Sequence, residues 1–246
     1  MKIRLDTFAK NNMIMFLANS IGSFFNLLYQ LVMLRLISKD VFASLNSLLS
    51  LLIIISVPAA AFTTMVTKHV SSYNATKKSG QLKAIWQKSS LHALYFSITV
   101  FSLIVLFKKQ IALFLQIDSQ GSINLLAAIF FLSGIAPMVN GGLQGLEKFK
   151  WLAFIGIGSG LLKLTLSVSL VRNFYGALNG ALFGFLVSIL ISILISIWPL
   201  RFLLSGIARE KINLKQLYAY ILPVAAVSLS FALLTNIDMV LVKHFF

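Results

Sequence analysis

Residues 11–37 form a run of 27 residues in which Arg35 is the single charge. At about 1.5 Å per helical residue, such a run is long enough to cross roughly 30 Å of bilayer hydrocarbon. A helix through the membrane is the fold it imposes. The run is nevertheless not uniformly apolar. At 100° per residue, Asn12, Asn19, Ser23, Asn26 and Gln30 share one arc of about 60°, while Ile14, Leu17, Ile21, Phe25, Leu28 and Val32 fill the opposite side. Amides turned toward lipid tails forfeit hydrogen bonds worth several kcal/mol each, so the seam must meet water or protein polar groups. It fits either the wall of a wet internal cavity or a line of interhelical hydrogen bonds.

The rest of the chain carries the same constraint. With 59% apolar and 11% charged residues among 246, it has too little polar surface for a soluble globule of its size. Further apolar runs cover about 41–69, 90–107, 123–143, 151–171, 177–200 and 216 onward, which makes seven spans. The expected fold is all-α: a polytopic membrane bundle of six helices followed by a seventh. Residues 1–10 are expected to lie on the membrane surface, 11–204 to form the six-helix lobe, 205–215 a cytoplasmic connection, and 216–246 the seventh helix and the start of a second lobe. Residues 70–90 read as a hydrophilic loop with Trp86 as an interfacial anchor. Gly180, Gly184, Ser188, Ser192 and Ser196 set a small residue at every fourth position of the sixth span, a track suited to close helix packing.

Lys and Arg divide unequally between the two sides. The N-terminus, the stretch from Lys68 to Lys88 and the connections after the fourth and sixth spans hold 14 of the 21, and the opposite side holds 6. The positive-inside rule then puts the N-terminus in the cytoplasm. The net charge of +15 is spread over short connections rather than one folded face, so membrane phospholipid is expected as the anionic partner and nucleic acid is not. With no cysteine, thiol chemistry is excluded. No two histidines have metal-ligand spacing, no carboxylates are paired, and no serine has a base in reach. Neither catalysis, nor a metal, nor a cofactor is expected.

The twenty-first cation, Lys163, lies in mid-span, about 12 Å from the nearer helix end and farther than its stem of about 6 Å comfortably snorkels. A lysine at that depth costs roughly 2.5–3.5 kcal/mol and so faces a partner, water or a substrate. Anion binding or gating, a structural pair and snorkelling all remain open for it. Arg35 and Asp238 stand near the ends of the first and seventh spans, and Pro58 and Pro137 interrupt the second and fourth.

The order of these features resembles the amino-terminal half of bacterial polysaccharide exporters. These are the Wzx-type flippases of the multidrug, oligosaccharidyl-lipid and polysaccharide (MOP) exporter superfamily, whose fold is MATE-like. The resemblance rests on LRLISKDVFASLNSLLSLL at the end of the first span, on the Pro58 region with its basic loop, and on NGGLQGLEKFKWLAFIGI, YGALNGALFG and LLTNIDMVLVKHFF. It implies alternating access that carries a polyprenyl-pyrophosphate-linked oligosaccharide from the cytoplasmic to the outer leaflet of the inner membrane for surface polysaccharide assembly. Membrane lipids and polysaccharide assembly proteins are the other implied partners. It also implies that the seam residues contact sugars, that Lys163 attracts phosphate, that Pro58 and Pro137 bend during lobe motion, and that Arg35 and Asp238 serve gating or ion coupling. The chain departs from the family in length, since such exporters have two lobes and twelve or more helices. A small-molecule or drug antiporter of the same superfamily, an inactive fragment and, least favoured, a membrane-embedded polysaccharide polymerase are the competing readings.

Overall fold

The computed structural model describes residues 2–117, 119–173, 176–206, 210 and 214–245, omitting the side chains of 2–8, 58, 60, 214–222 and 224. Every element in it is helical. The long helices are α1 (Lys2–Leu36), α2 (Lys39–Ala75), α3 (Ser79–Leu106), α5 (Gln120–Gly145), α6 (Phe149–Asn173), α7 (Ala177–Ile197) and α9 (Leu214–Phe245). Shorter ones are α4 (Lys108–Phe114) and α8 (Arg201–Leu204), the latter joined to α7 by a 3-10 turn at Trp198–Leu200. Seven helices are long and apolar enough to cross a membrane, so the protein is multi-pass. The side on which α1 begins is called the near side here, and the other the far side.

Three tight connections share one device. Lys77, Gln116 and Glu147 take φ of 56°, 50° and 57°, the left-handed conformation that ends a helix. After α2, the Lys77 amide donates to Asn74 O at 3.1 Å and the Lys78 amide to Tyr73 O at 3.0 Å. After α5, the Glu147 amide reaches Gln144 O at 3.0 Å and the Lys148 amide Leu143 O at 2.8 Å. Orphan carbonyls at these helix ends are thus satisfied without glycine, and only three residues separate α2 from α3 and α5 from α6.

The hydrophilic stretch 70–90 is therefore not a loop. It continues α2 and α3 beyond the apolar spans as a helical hairpin, because Val70, Leu82, Ile85 and Trp86 recur at helical spacing and are buried. Trp86 is not an interfacial anchor either: its indole N–H donates to Met138 O on α5 at 3.0 Å. Gly142 makes this possible, since a Cβ there would stand 2.7 Å from the indole nitrogen. At the other end of the chain, residues 2–10 continue α1 without a break instead of forming a separate surface segment.

Helix α5 is the buried spine. It contributes Ile123, Leu126 and Phe130 to a far-side core with Tyr29, Met33 and Leu45, and Met138 and Leu143 to a near-side core with Val66, Ile85 and Leu200. Helix α9 lies along α2, and its His244 ring stacks on Phe114 with centroids 4.2 Å apart. Lipid offers no hydrophobic drive for helix association, so close backbone contact decides the packing. A Cβ on Gly184 would meet the backbone nitrogen of Ser167 at 2.5 Å, and one on Gly145 would meet Val70 Cβ at 2.7 Å.

A Gly184→Val chain should therefore lose about 1–3 kcal/mol through overpacking. Its thermal unfolding midpoint in detergent should fall, whereas Gly156→Ala, whose Cβ meets nothing within 4 Å, should leave the midpoint level or raised.

Candidate functional site

Helices α1, α5, α6 and α7 surround a cavity of about 360 Å³ in the near-side half. Each helix supplies polar groups to it. Asn19 comes from α1, Asn140 and Gln144 from α5, Ser159 from α6, and Ser192 and Ser196 from α7. The last two arrive there because every fourth residue advances about 40° around a helix. Gly180 and Gly184 at the start of the small-residue track pack on α6, and by Ser192 the track has turned into the cavity. Packing thus accounts for the first part of that track only. Gly156 keeps the space open, since nothing lies within 4 Å of where its Cβ would be.

The chemistry of the wall follows from its hydrogen bonds. The Ser192 hydroxyl donates to Ser188 O at 2.7 Å and the Ser196 hydroxyl to Ser192 O at 2.6 Å, so both turn only oxygen lone pairs outward. Gln144 accepts from the Thr67 hydroxyl at 3.2 Å and keeps its NH₂ donors. Amide donors and acceptors from Asn19 and Asn140 complete the set. The lining contains no charged side chain. A wall with both donors and acceptors but no charge suits a neutral, hydroxyl-rich group.

Lys163 stands one turn beyond Ser159, about 6 Å farther along α6. Its ammonium donates to Asn26 Oδ1 at 3.3 Å and lies 4.2 Å from the Tyr29 ring centroid and 4.3 Å from that of Phe185. Each ring face contributes about 0.5–2 kcal/mol, so the two together offset a large part of the insertion cost of the charge. Among the described residues no carboxylate pairs with it, so the positive charge is held but not neutralised. The register is set by α1 and α6 running side by side: a Cβ on Gly160 would meet Phe25 Cβ at 3.0 Å.

The structure thus joins some of the residues singled out above and separates others. Asn19 lines the cavity, and Asn26 holds Lys163. Asn12 and Ser23 are exposed on the same face of α1, and Gln30 is half-buried. Pro137 is buried in α5 beside the cavity residue Ala136, and Pro58 lies inside α2 with its side chain outside the described set. Arg35, in the last turn of α1, and Asp238, on α9, are exposed and neither lines the cavity. Sequence reading did not single out Gln144, Ser159, Tyr29 or Phe185 for the site. Ser159 alone had a usable signal, because it shares a helix face with Gly156 and Lys163.

Because the chain has no cysteine, single thiols report the cavity directly. Asn140→Cys and Ser192→Cys should react with a water-soluble maleimide about tenfold or more faster than Ser188→Cys, whose position is fully buried. Equal labelling rates would mean that the cavity holds no water.

Comparison with known proteins agrees with this architecture. The sequence profile of the family described as polysaccharide biosynthesis protein matches residues 8–246. No curated protein sequence matches the chain. Among solved structures, a MATE transporter crystallised with MaD3S is similar at a TM-score of 0.79 and 15% identity, over 95% of this chain and 55% of its own. A MOP superfamily transporter from Pyrococcus furiosus, described as having a binding pocket of reverse polarity, is similar at 0.74 and 17%, over 95% and 54%. An outward-facing multidrug resistance MATE family transporter is similar at 0.75 and 14%, over 92% and 52%. The chain spans about half the length of these structures. With its profile matched almost end to end, this chain belongs to the polysaccharide biosynthesis protein family, and its seven helices share the fold of MATE transporters.

Proposed function

We propose that the chain is one lobe of a membrane transporter, a flippase that moves polyprenyl-pyrophosphate-linked oligosaccharide from the cytoplasmic to the outer leaflet by alternating access. The observation that carries this reading is the pairing of an uncharged amide and hydroxyl cavity with an unneutralised lysine one turn deeper. Sugar hydroxyls match the amide groups of Asn19 and Asn140, and phosphate oxygens match the Lys163 ammonium. The lipid tail stays in hydrocarbon while the polar head, which bare bilayer excludes, passes along the protein.

On this reading the near side is cytoplasmic, as the bias of 14 cations to 6 favours, and the membrane is the inner one. Residues 11–204 form the lobe, 205–215 the cytoplasmic connection, and 216–246 the first helix toward a second lobe, whose movement against this one would open the cavity to each side in turn. Pro58 and Pro137 are the flexing points, and Arg35 and Asp238 act in gating or ion coupling. Polysaccharide assembly proteins would receive the product. A drug antiporter is the second reading, since multidrug transporters share the fold. The lack of a carboxylate on the cavity wall weighs against a cationic drug and for a neutral or anionic load.

In a strain whose surface polysaccharide depends on this gene, Lys163→Ala and Asn26→Leu should each lower export at least about tenfold at normal protein level, matching loss of one charge-assisted contact of roughly 1.5–3 kcal/mol. Gly156→Leu, whose Cβ meets nothing within 4 Å and whose longer side chain takes up cavity space, should do the same. Normal export by Lys163→Ala and Gly156→Leu at normal protein level would end this assignment.

A further inference from the structure

A second cluster, outside the cavity, occupies the near-side ends of α6 and α7. The Trp151 and Trp198 rings lie 5.5 Å apart, and Phe154 meets Trp151 edge-on at 6.2 Å. The Arg201 guanidinium lies 5.5 Å from the Trp198 ring, and the Lys148 ammonium 5.6 Å from the Phe202 ring. These aromatics are not core: Trp198 is 59% exposed, Phe154 62% and Phe202 48%. They sit where an apolar span gives way to a basic connection, the level at which indoles partition into a membrane interface.

The donors in this cluster are not used up by the protein. Lys148 donates to Pro199 O at 2.8 Å and so closes the end of α7. The Arg201 guanidinium lies over an indole, and among the described residues no acceptor takes its N–H groups. Lys150, next to Trp151 in sequence, is exposed in the first turn of α6. Glu147 is the carboxylate of the neighbourhood, against three cations at 148, 150 and 201, so the patch is net positive. A guanidinium over an indole with its donors unused, a second cation, and an exposed indole and phenyl ring at the hydrocarbon boundary together suit a phosphodiester carried on an acyl chain.

We infer that this rim is a docking site for the headgroup of an anionic phospholipid, held by Arg201 and Lys150 with its acyl chain against Trp198 and Phe154. The site adjoins the cavity, because Leu152 and Ser196 on its wall are the neighbours of Trp151 and Trp198 along α6 and α7. It does not depend on the transport assignment, and a failed export assay leaves it standing.

The chain's own tryptophans test it. Two of the three lie in the rim, and the third, Trp86, is buried. The full chain is reconstituted into phosphatidylcholine vesicles containing either brominated phosphatidylglycerol or brominated phosphatidylcholine, and bromine quenching of tryptophan emission is followed. Half-maximal quenching should need a mole fraction of phosphatidylglycerol at least about fivefold lower than of phosphatidylcholine, the preference one interfacial cation confers. The Arg201→Gln, Lys150→Gln double variant should lose that preference, and Lys108→Gln on the far side should keep it. Equal quenching by the two lipids in the parent chain overturns the inference, and that comparison stands whether or not the variants fold. A preference that survives in the folded double variant also overturns it. So does relief of phosphatidylglycerol quenching by millimolar inorganic phosphate, which would make the rim a site for free phosphate.

Discussion

Backbone approach at small residues is the constraint on which this structure rests. Helices in lipid gain nothing by hiding leucine from leucine, so they hold together only where their main chains come close enough for dense contact. Gly184 against Ser167 joins α7 to α6, Gly145 against Val70 joins α5 to α2, and Gly160 against Phe25 joins α6 to α1. Gly142 admits the Trp86 indole to α5. An added methyl group would clash with the Ser167 backbone at Gly184 and with Val70 at Gly145, and would crowd Phe25 and Trp86 at the other two. The cavity exists because the contacts stop where they do: past Gly184 on α7 the small residues rotate away from α6, and at Gly156 on α6 the neighbouring helix stands off.

Polar groups then sort by what can satisfy them. Hydroxyls within the spans turn to the carbonyl one turn back, as Ser97 does to Ala93 and Ser192 to Ser188, and so cost the membrane little. Amides can make the same bond, as Asn46 does to Phe42 and Asn236 to Ala232, but each has further donor and acceptor capacity, and Asn19, Asn140 and Gln144 turn theirs to the cavity. Lys163 is the extreme case, a cation whose partners among the described residues are one amide oxygen and two ring faces. Such an arrangement stabilises a cation without cancelling its field, which keeps it attractive to an anion approaching from the cavity below.

The spans were legible in the sequence because an apolar run long enough to cross a bilayer has one backbone solution, a helix that bonds to itself. The amide seam was legible as a pattern, and Asn19 and Asn26 on it reached a cavity and a lysine. Its other members met neither, since a helical arc says which residues share a face but not where along that face a neighbour stops covering it. The hairpin at 70–90 was misread for a related reason. Hydrophilic helices that leave the membrane look like loops to hydropathy, and only the burial of Leu82, Ile85 and Trp86 against α5 reveals their packing.

What the sequence alone determined is the set of membrane helices, their order, the asymmetry of charge between the two ends, and a lysine placed too deep to escape. These follow from local length, periodicity and the cost of charge in hydrocarbon. What the tertiary structure decided is which polar residues share a space. Asn19, Asn140, Ser159 and Ser192 are scattered along most of the chain, and they meet because glycine contacts fix the register and rotation of four helices. That register is a property of paired surfaces, and no stretch of one helix contains it.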